Sequence, residues 1–211
     1  MRFLSLLSIL IFFTSCGVQK PNNNSFEGMF VYKLSSEMIN PNDEDSLNYQ
    51  VVYAKDSMLR VENFTQIGKQ VYIKHIPKNR AYILMDVYTK KVAVQSYPDD
   101  APNAGKYLFK SKMGKQNIAG RKAKKIQVEI PDVDSVFQMS YYPDISPKYS
   151  EAIPGIPGLP AKFTLYSKNE FIDYEMVLIE EREVSIDIFG IPNDYEIMTM
   201  DEFIKLIQED E

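Results

Sequence analysis

Between residues 26 and 180, apolar and polar side chains alternate in short runs broken by turn residues, and this period of two is what most constrains the fold. A strand sends successive side chains to opposite faces, whereas a helix needs apolar residues every three to four positions. Phe26, Gly28, Phe30 and Tyr32 share one face of a first strand and Met29 and Val31 the other, which predicts cover on both sides. A second strand over 47–53 passes through Lys55-Asp56-Ser57, read as a four-residue connection, into a third over 58–64. There Leu59, Val61 and Asn63 alternate with Arg60, Glu62 and Phe64.

The alternation continues as a meander. Residues 69–76 set Val71, Ile73 and His75 against Gln70, Tyr72 and Lys74, and strands follow over 81–86 and 92–95. A Pro- and Asp-rich loop spans 96–105. Ile118-Ala119-Gly120 opens a strand over 120–130 with Ile126, Val128 and Ile130 on one face, and another strand spans 136–142. Residues 146–160 hold Ile153-Pro154-Gly155-Ile156-Pro157-Gly158-Leu159-Pro160, which cannot be helix because proline lacks the amide donor and fixes φ. Its apolar residues predict a stiff, buried loop that caps a sheet edge or barrel mouth. Strands over 161–166 and 171–180 lead into 182–189.

The tail changes period. Thr199 and Glu202 fit a capping box, Met198 and Phe203 a hydrophobic staple, and Phe203, Ile204 and Ile207 recur at helical spacing. A short helix over about 200–208 is expected to pack on the sheet. The fold class is therefore mostly β, an antiparallel sheet with one C-terminal helix, in a single domain over 26–211.

Ahead of that domain, Arg2, an apolar run over 3–13, and Thr14-Ser15-Cys16 have the form of a secretory signal ending at the only cysteine. The run is 11 residues long, about half of the roughly 20 that cross a bilayer. Phe13-Thr14-Ser15-Cys16 resembles the lipobox of bacterial lipoproteins, which implies removal of 1–15 and acylation of Cys16, with 16–25 as a polar tether. No acidic run follows the cysteine, so the expected location is the cell envelope, as an outer-membrane lipoprotein facing the periplasm.

The 196 residues left after residue 15 carry 23 basic and 29 acidic side chains. That balance argues against nucleic acid, which needs a strongly basic face. With no cysteine beyond Cys16, an internal disulfide, a thiolate zinc site and a thiol nucleophile are ruled out for the domain. The one histidine, His75, sits among alternating strand residues and reads as a satisfied strand histidine. No nucleophile elbow, Walker loop or HExxH motif occurs. Asp43-Glu44-Asp45 lacks calcium-loop spacing, and Asp99, Asp100, Asp132 and Asp134 read as turn residues. The expectation is no catalytic residue, no metal and no cofactor.

Phe26-Glu27-Gly28, Met85-Asp86 before Tyr88-Thr89-Lys90-Lys91, the strand from Ile118 to Lys125, and Pro157-Gly158-Leu159-Pro160 resemble, over about 26–198, the small envelope lipoproteins of the GLPGLI type. In that family the central strand typically has Tyr where this chain has Arg121 and Cys where it has Ala123, and Ile156 and Pro160 are variant. The resemblance implies a sheet curled into a half-barrel with helical cover, similar to lipoprotein-carrier domains. Two roles fit. In the first, the curled sheet binds a lipid, acyl chain or apolar peptide, with Ile153, Pro154, Ile156, Pro157 and Leu159 as the rim. In the second, a structural or assembly lipoprotein docks on another envelope protein through a sheet edge or through Arg121, Lys122, Lys124 and Lys125.

Overall fold

The computed structural model describes residues 25–36, 48–65, 68–97, 107–129, 136–150, 152–167 and 170–209. Cys16, the tether before Ser25, Asp43-Glu44-Asp45, Asp99, Asp100, Asp132 and Asp134 lie outside them.

Among the described residues, twelve strands form one sheet. The first six, β1 (Gly28–Ser35), β2 (Tyr49–Lys55), β3 (Met58–Thr65), β4 (Gly68–His75), β5 (Arg80–Val87) and β6 (Lys90–Ser96), make an antiparallel meander. On the other side of β1 lie β11 (Glu170–Glu181), β10 (Leu159–Ser167), β9 (Val136–Tyr142), β8 (Arg121–Glu129) and β7 (Leu108–Ile118), again antiparallel. A three-residue β12 (Glu196–Met198) adds parallel to the outer edge of β6, and α1 (Met200–Glu209) follows it. The sheet is open, with β7 and β12 at its ends. It curls strongly enough that Arg121, at the start of β8, reaches Glu181 at the end of β11. The mostly β, curled antiparallel sheet with a short C-terminal helix agrees with the expectation.

Register sets the two faces. Leu59, Val61 and Asn63 of β3 oppose Ala54, Val52 and Gln50 of β2 and face inward with Phe30 and Tyr32 of β1. The main core lies on this concave face, and Ala123, Ile126, Val128, Met139, Phe163 and Met176 join it from the other half. The 143–158 connection folds back into the curl, so that Ile145, Tyr149, Ile153 and Ile156 are all buried there. It closes on itself through Leu159 N–H to Ile145 C=O at 3.0 Å and Ile156 N–H to Ile153 C=O at 3.3 Å.

The convex face has its own cover. After β11, residues 182–195 run as a strap whose Val184, Phe189 and Ile191 pack on Val71, Ile73, Leu84 and Ala93. Lys55 Nζ clasps its start, donating to Glu27 Oε1 at 2.7 Å and to Val184 C=O at 2.8 Å, while Arg60 Nη1 donates to Ile188 C=O at 2.8 Å. β12 then turns the chain over the edge of β6, and α1 lays Phe203 and Leu206 against Met85, Val92 and Val94 on the concave side. The capping box forms as read: Thr199 N–H donates to Glu202 Oε2 at 2.7 Å, and Glu202 N–H to Thr199 Oγ1 at 3.3 Å.

Local readings needed three adjustments. The β2–β3 connection is a two-residue turn, Asp56-Ser57, made possible by Asp56 at φ 50°. The outer side of β1 is only half covered, at Met29 and Val31. Residues 108–118 form a full strand that the alternation did not reveal, because its register slips between Ser111 and Lys115.

Candidate functional site

The concave trough centred on β1 holds a cavity of about 330 Å³, within the usual span of about 300–1,000 Å³ for small-molecule sites. Phe30 and Tyr32 form its back. Val52 of β2 and Leu59 and Val61 of β3 make one wall, and Phe163, Leu165 and Tyr174 of β10 and β11 the other. The rings are braced edge to face, Phe30 to Tyr32 at 5.6 Å and Tyr32 to Phe163 at 5.4 Å, and Phe163 stacks on Tyr174 at 4.8 Å. Such rigid pairs lose little conformational freedom when they hold a shape. The Tyr32 hydroxyl is also pinned, donating to Pro160 C=O at 2.5 Å.

Tyr149, Ser150 and Ala152 of the 143–158 connection close the lower end, near the start of β1. Tyr149 is locked there because its hydroxyl accepts from Phe26 N–H at 2.8 Å and donates to Asp56 C=O at 2.9 Å. Towards the opposite strand ends, Gln50 Nε2 donates to Asn63 Oδ1 at 2.9 Å, placing an amide pair on the cavity wall. Among the described residues the lining contains no Asp, Glu, Lys, Arg or His. Burial pushes the hydroxyls of Tyr32 and Tyr174 up from their ordinary value, and that of Tyr72 up to about 12, so the lining is uncharged at neutral pH. An aromatic, uncharged cleft with an amide pair is suited to holding an apolar body.

The residues singled out from the sequence fall nearby but elsewhere. Ile153, Ile156, Pro157 and Leu159 are buried and Pro154 is exposed, and none of the five lines the cavity. The four buried ones fill the base of the curl beside it. Of the basic residues on β8, Arg121 is engaged internally, with Asp144 Oδ2 at 2.5 Å and Glu181 Oε1 at 2.6 Å. β8 is not a sheet edge, since β7 pairs along its outer side. Lys122 is exposed and Lys124 and Lys125 are half-buried. His75 is half-buried at the end of β4, in a shallow groove beneath the strap with Met58 and Asp187. Among the described residues no three His, Cys, Asp or Glu side chains converge.

Sequence reasoning missed this lining because, apart from Tyr149, Ser150 and Ala152 of the 143–158 connection, its residues are ordinary inward positions of strands. The available signal was parity: Phe30 and Tyr32, Phe163 and Leu165, and Tyr174 concentrate bulky rings on the inward side of three neighbouring strands.

No protein-family model matches the chain. No curated protein matches it either. Among solved structures it is similar to PNGF-II in two crystal forms, P21 and C2, at 16% identity and TM-scores of 0.54 and 0.53, over 88% of this chain. The chain spans about a third of PNGF-II, 34% and 33% in the two forms. It also aligns with MucB, solved in complex with MucA(peri), at 14% identity over 84% of this chain and 57% of that one. The TM-score there is 0.36, too low to bear on this chain. What the PNGF-II likeness shows is the fold.

Proposed function

We propose that this chain is a non-catalytic envelope lipoprotein, held by acylated Cys16 on a membrane and facing the periplasm, whose curled sheet binds a hydrophobic ligand. The observation that carries the reading is the 330 Å³ trough cavity with its aromatic walls and uncharged lining. At about 30 Å³ per water-sized group, that volume takes roughly ten carbons, an acyl segment rather than a whole phospholipid. Burying about ten CH₂ groups gains roughly 8 kcal/mol before ordering costs, so about micromolar is the tightest affinity that this burial alone supports. With no cation among the described lining residues, a charged headgroup stays outside and Gln50 and Asn63 offer hydrogen bonds at the wall. The GLPGLI-type resemblance and the signal ending at Cys16 agree with this placement.

The test is native mass spectrometry of protein extracted from membranes, with calorimetric titration of the purified chain by dodecanol. One bound chain per protein is expected, and Val61→Trp, which fills the cavity, should abolish it. A folded protein that carries no lipid and gives no heat with dodecanol would refute the reading.

A further inference from the structure

We propose that the β7–β8 hairpin is a docking surface for an anionic lipid bilayer, with Met113 as its apolar insert. Residues 108–129 carry seven basic side chains against one acidic, a charge of +6 in a chain whose total is −5. Two of the seven are internally committed, Arg121 to Asp144 and Glu181, and Lys110 to Glu129. Lys115, Lys122 and Lys125 have no carboxylate within ion-pair distance among the described residues. Lys115 stands directly opposite Lys124 in the ladder, and Lys122 is two residues further along the same side. Like charges facing across a ladder destabilise it, and Lys125 lies on the other face by alternation, so the hairpin carries basic side chains on both faces beside the outer edge of the sheet.

A second observation lies on the same hairpin. The register slip between Ser111 and Lys115 lifts a bulge in which Met113 is 97% exposed, the most exposed of the described large hydrophobic side chains. Gly114 at φ 123° makes the bulge, and the Lys125 chain lies alongside it. An apolar side chain pushed into water among lysines is the combination that partitions into a charged bilayer interface. A protein partner would call for a buried aromatic or arginine anchor in a pocket. Here Arg121 is already paired, and Phe109, the hairpin's only aromatic, packs on the core. One-sign charge spread along a strand suits a continuous anionic surface, where spacing matters little. The hairpin turn also sits beside the entry of the chain into the domain, since Arg121 and Ser25 line one recess.

The experiment is cosedimentation of the full chain carrying Cys16→Ser, which cannot be acylated, with vesicles of phosphatidylcholine alone or mixed with phosphatidylglycerol. The apolar N-terminal run binds both kinds, and Arg2 beside it adds to the anionic excess, so the hairpin is read from the part of the excess that its lysine variant loses. Each lysine near such a surface is worth about fivefold in partitioning. The triple variant Lys115→Gln, Lys122→Gln, Lys125→Gln should therefore lose about a hundredfold of the excess, high salt should remove it, and Met113→Asp should reduce it further, all with unchanged circular dichroism. Equal binding to both vesicle types, or an unaltered excess in the folded triple variant, overturns the proposal. Retention on immobilised polyglutamate without vesicle binding would likewise overturn it, in favour of an acidic protein partner.

Discussion

Replacing Tyr149 by Phe removes one oxygen and keeps the ring, so it separates the polar clamp at the base of the trough from the packing around it. The Tyr149 hydroxyl accepts from Phe26 N–H and donates to Asp56 C=O, and the side chain is 1% exposed. After the change Phe26 N–H has no acceptor in a buried setting, which costs about 1–3 kcal/mol, and the second bond adds about 1 kcal/mol. A loss of about 2.5 kcal/mol is expected. With a urea slope of about 2.5 kcal/mol/M the midpoint falls by about 1 M, and the melting temperature falls by about 5–10 °C for a domain of this size. Tyr32→Phe is the matched control: it loses only a donor to Pro160 C=O, and a carbonyl is easier to leave under-satisfied than an N–H, so about 1 kcal/mol is expected. Dodecanol binding should survive Tyr149→Phe because the ring still closes the cavity. If Tyr149→Phe costs less than about 0.5 kcal/mol, or no more than Tyr32→Phe, the assignment of an orphaned buried amide is wrong.

A Cβ added at Gly158 would stand 2.2 Å from Tyr142 C=O and 2.8 Å from the Tyr141 ring, so Gly158→Ala must push β9 from the 143–158 connection; a loss of about 3 kcal/mol is expected, and an unchanged thermal melt would refute it. Alkaline pH gives a further outcome. Burial raises Tyr32 well above 10 and Tyr142 and Tyr72 to about 12, so the folded state holds protons that the unfolded chain releases near 10. The resulting stability is complete below pH 10 and falls between pH 10 and about 12. Urea midpoints measured across that window should fall as tyrosinate absorbance rises, and a flat midpoint would contradict the burial of these hydroxyls.

How far the fold could be read from the chain depended on whether each signal was local. Leu59, Val61 and Asn63 alternate with Arg60, Glu62 and Phe64, and the faces follow, because a strand's parity needs no knowledge of its neighbours. Thr199 and Glu202 mark the helix start for the same reason. Residues 108–118 escaped because the bulge at Met113-Gly114 breaks the parity that identifies a strand. The strap escaped because Val184, Phe189 and Ile191 have no period, and their partners on β4 to β6 lie about a hundred residues earlier. Ile153 and Ile156 were read as part of a stiff, buried loop, and both are buried; their reading as a cavity rim failed because a Pro- and Gly-rich run does not show which part of the curl it packs against.

The cavity's position follows from what the covering segments can reach. Ten-residue α1 is about 15 Å long, whereas β1 to β6 span about 24 Å at roughly 4.8 Å per strand. A helix held at β6 by Met198, Phe203 and Leu206 therefore cannot extend to β1, even laid straight across the sheet. From the other side the 143–158 connection enters at the lower strand ends and stops at Tyr149 and Ala152. The strap is spent on the convex face. Among the described residues, the stretch from Phe30 past Val61 to Tyr72 is thus an apolar face that α1, the strap and the 143–158 connection leave open. Lengthening α1 would close it only if the helix also crossed β3, so the space is a consequence of topology and not of one small side chain.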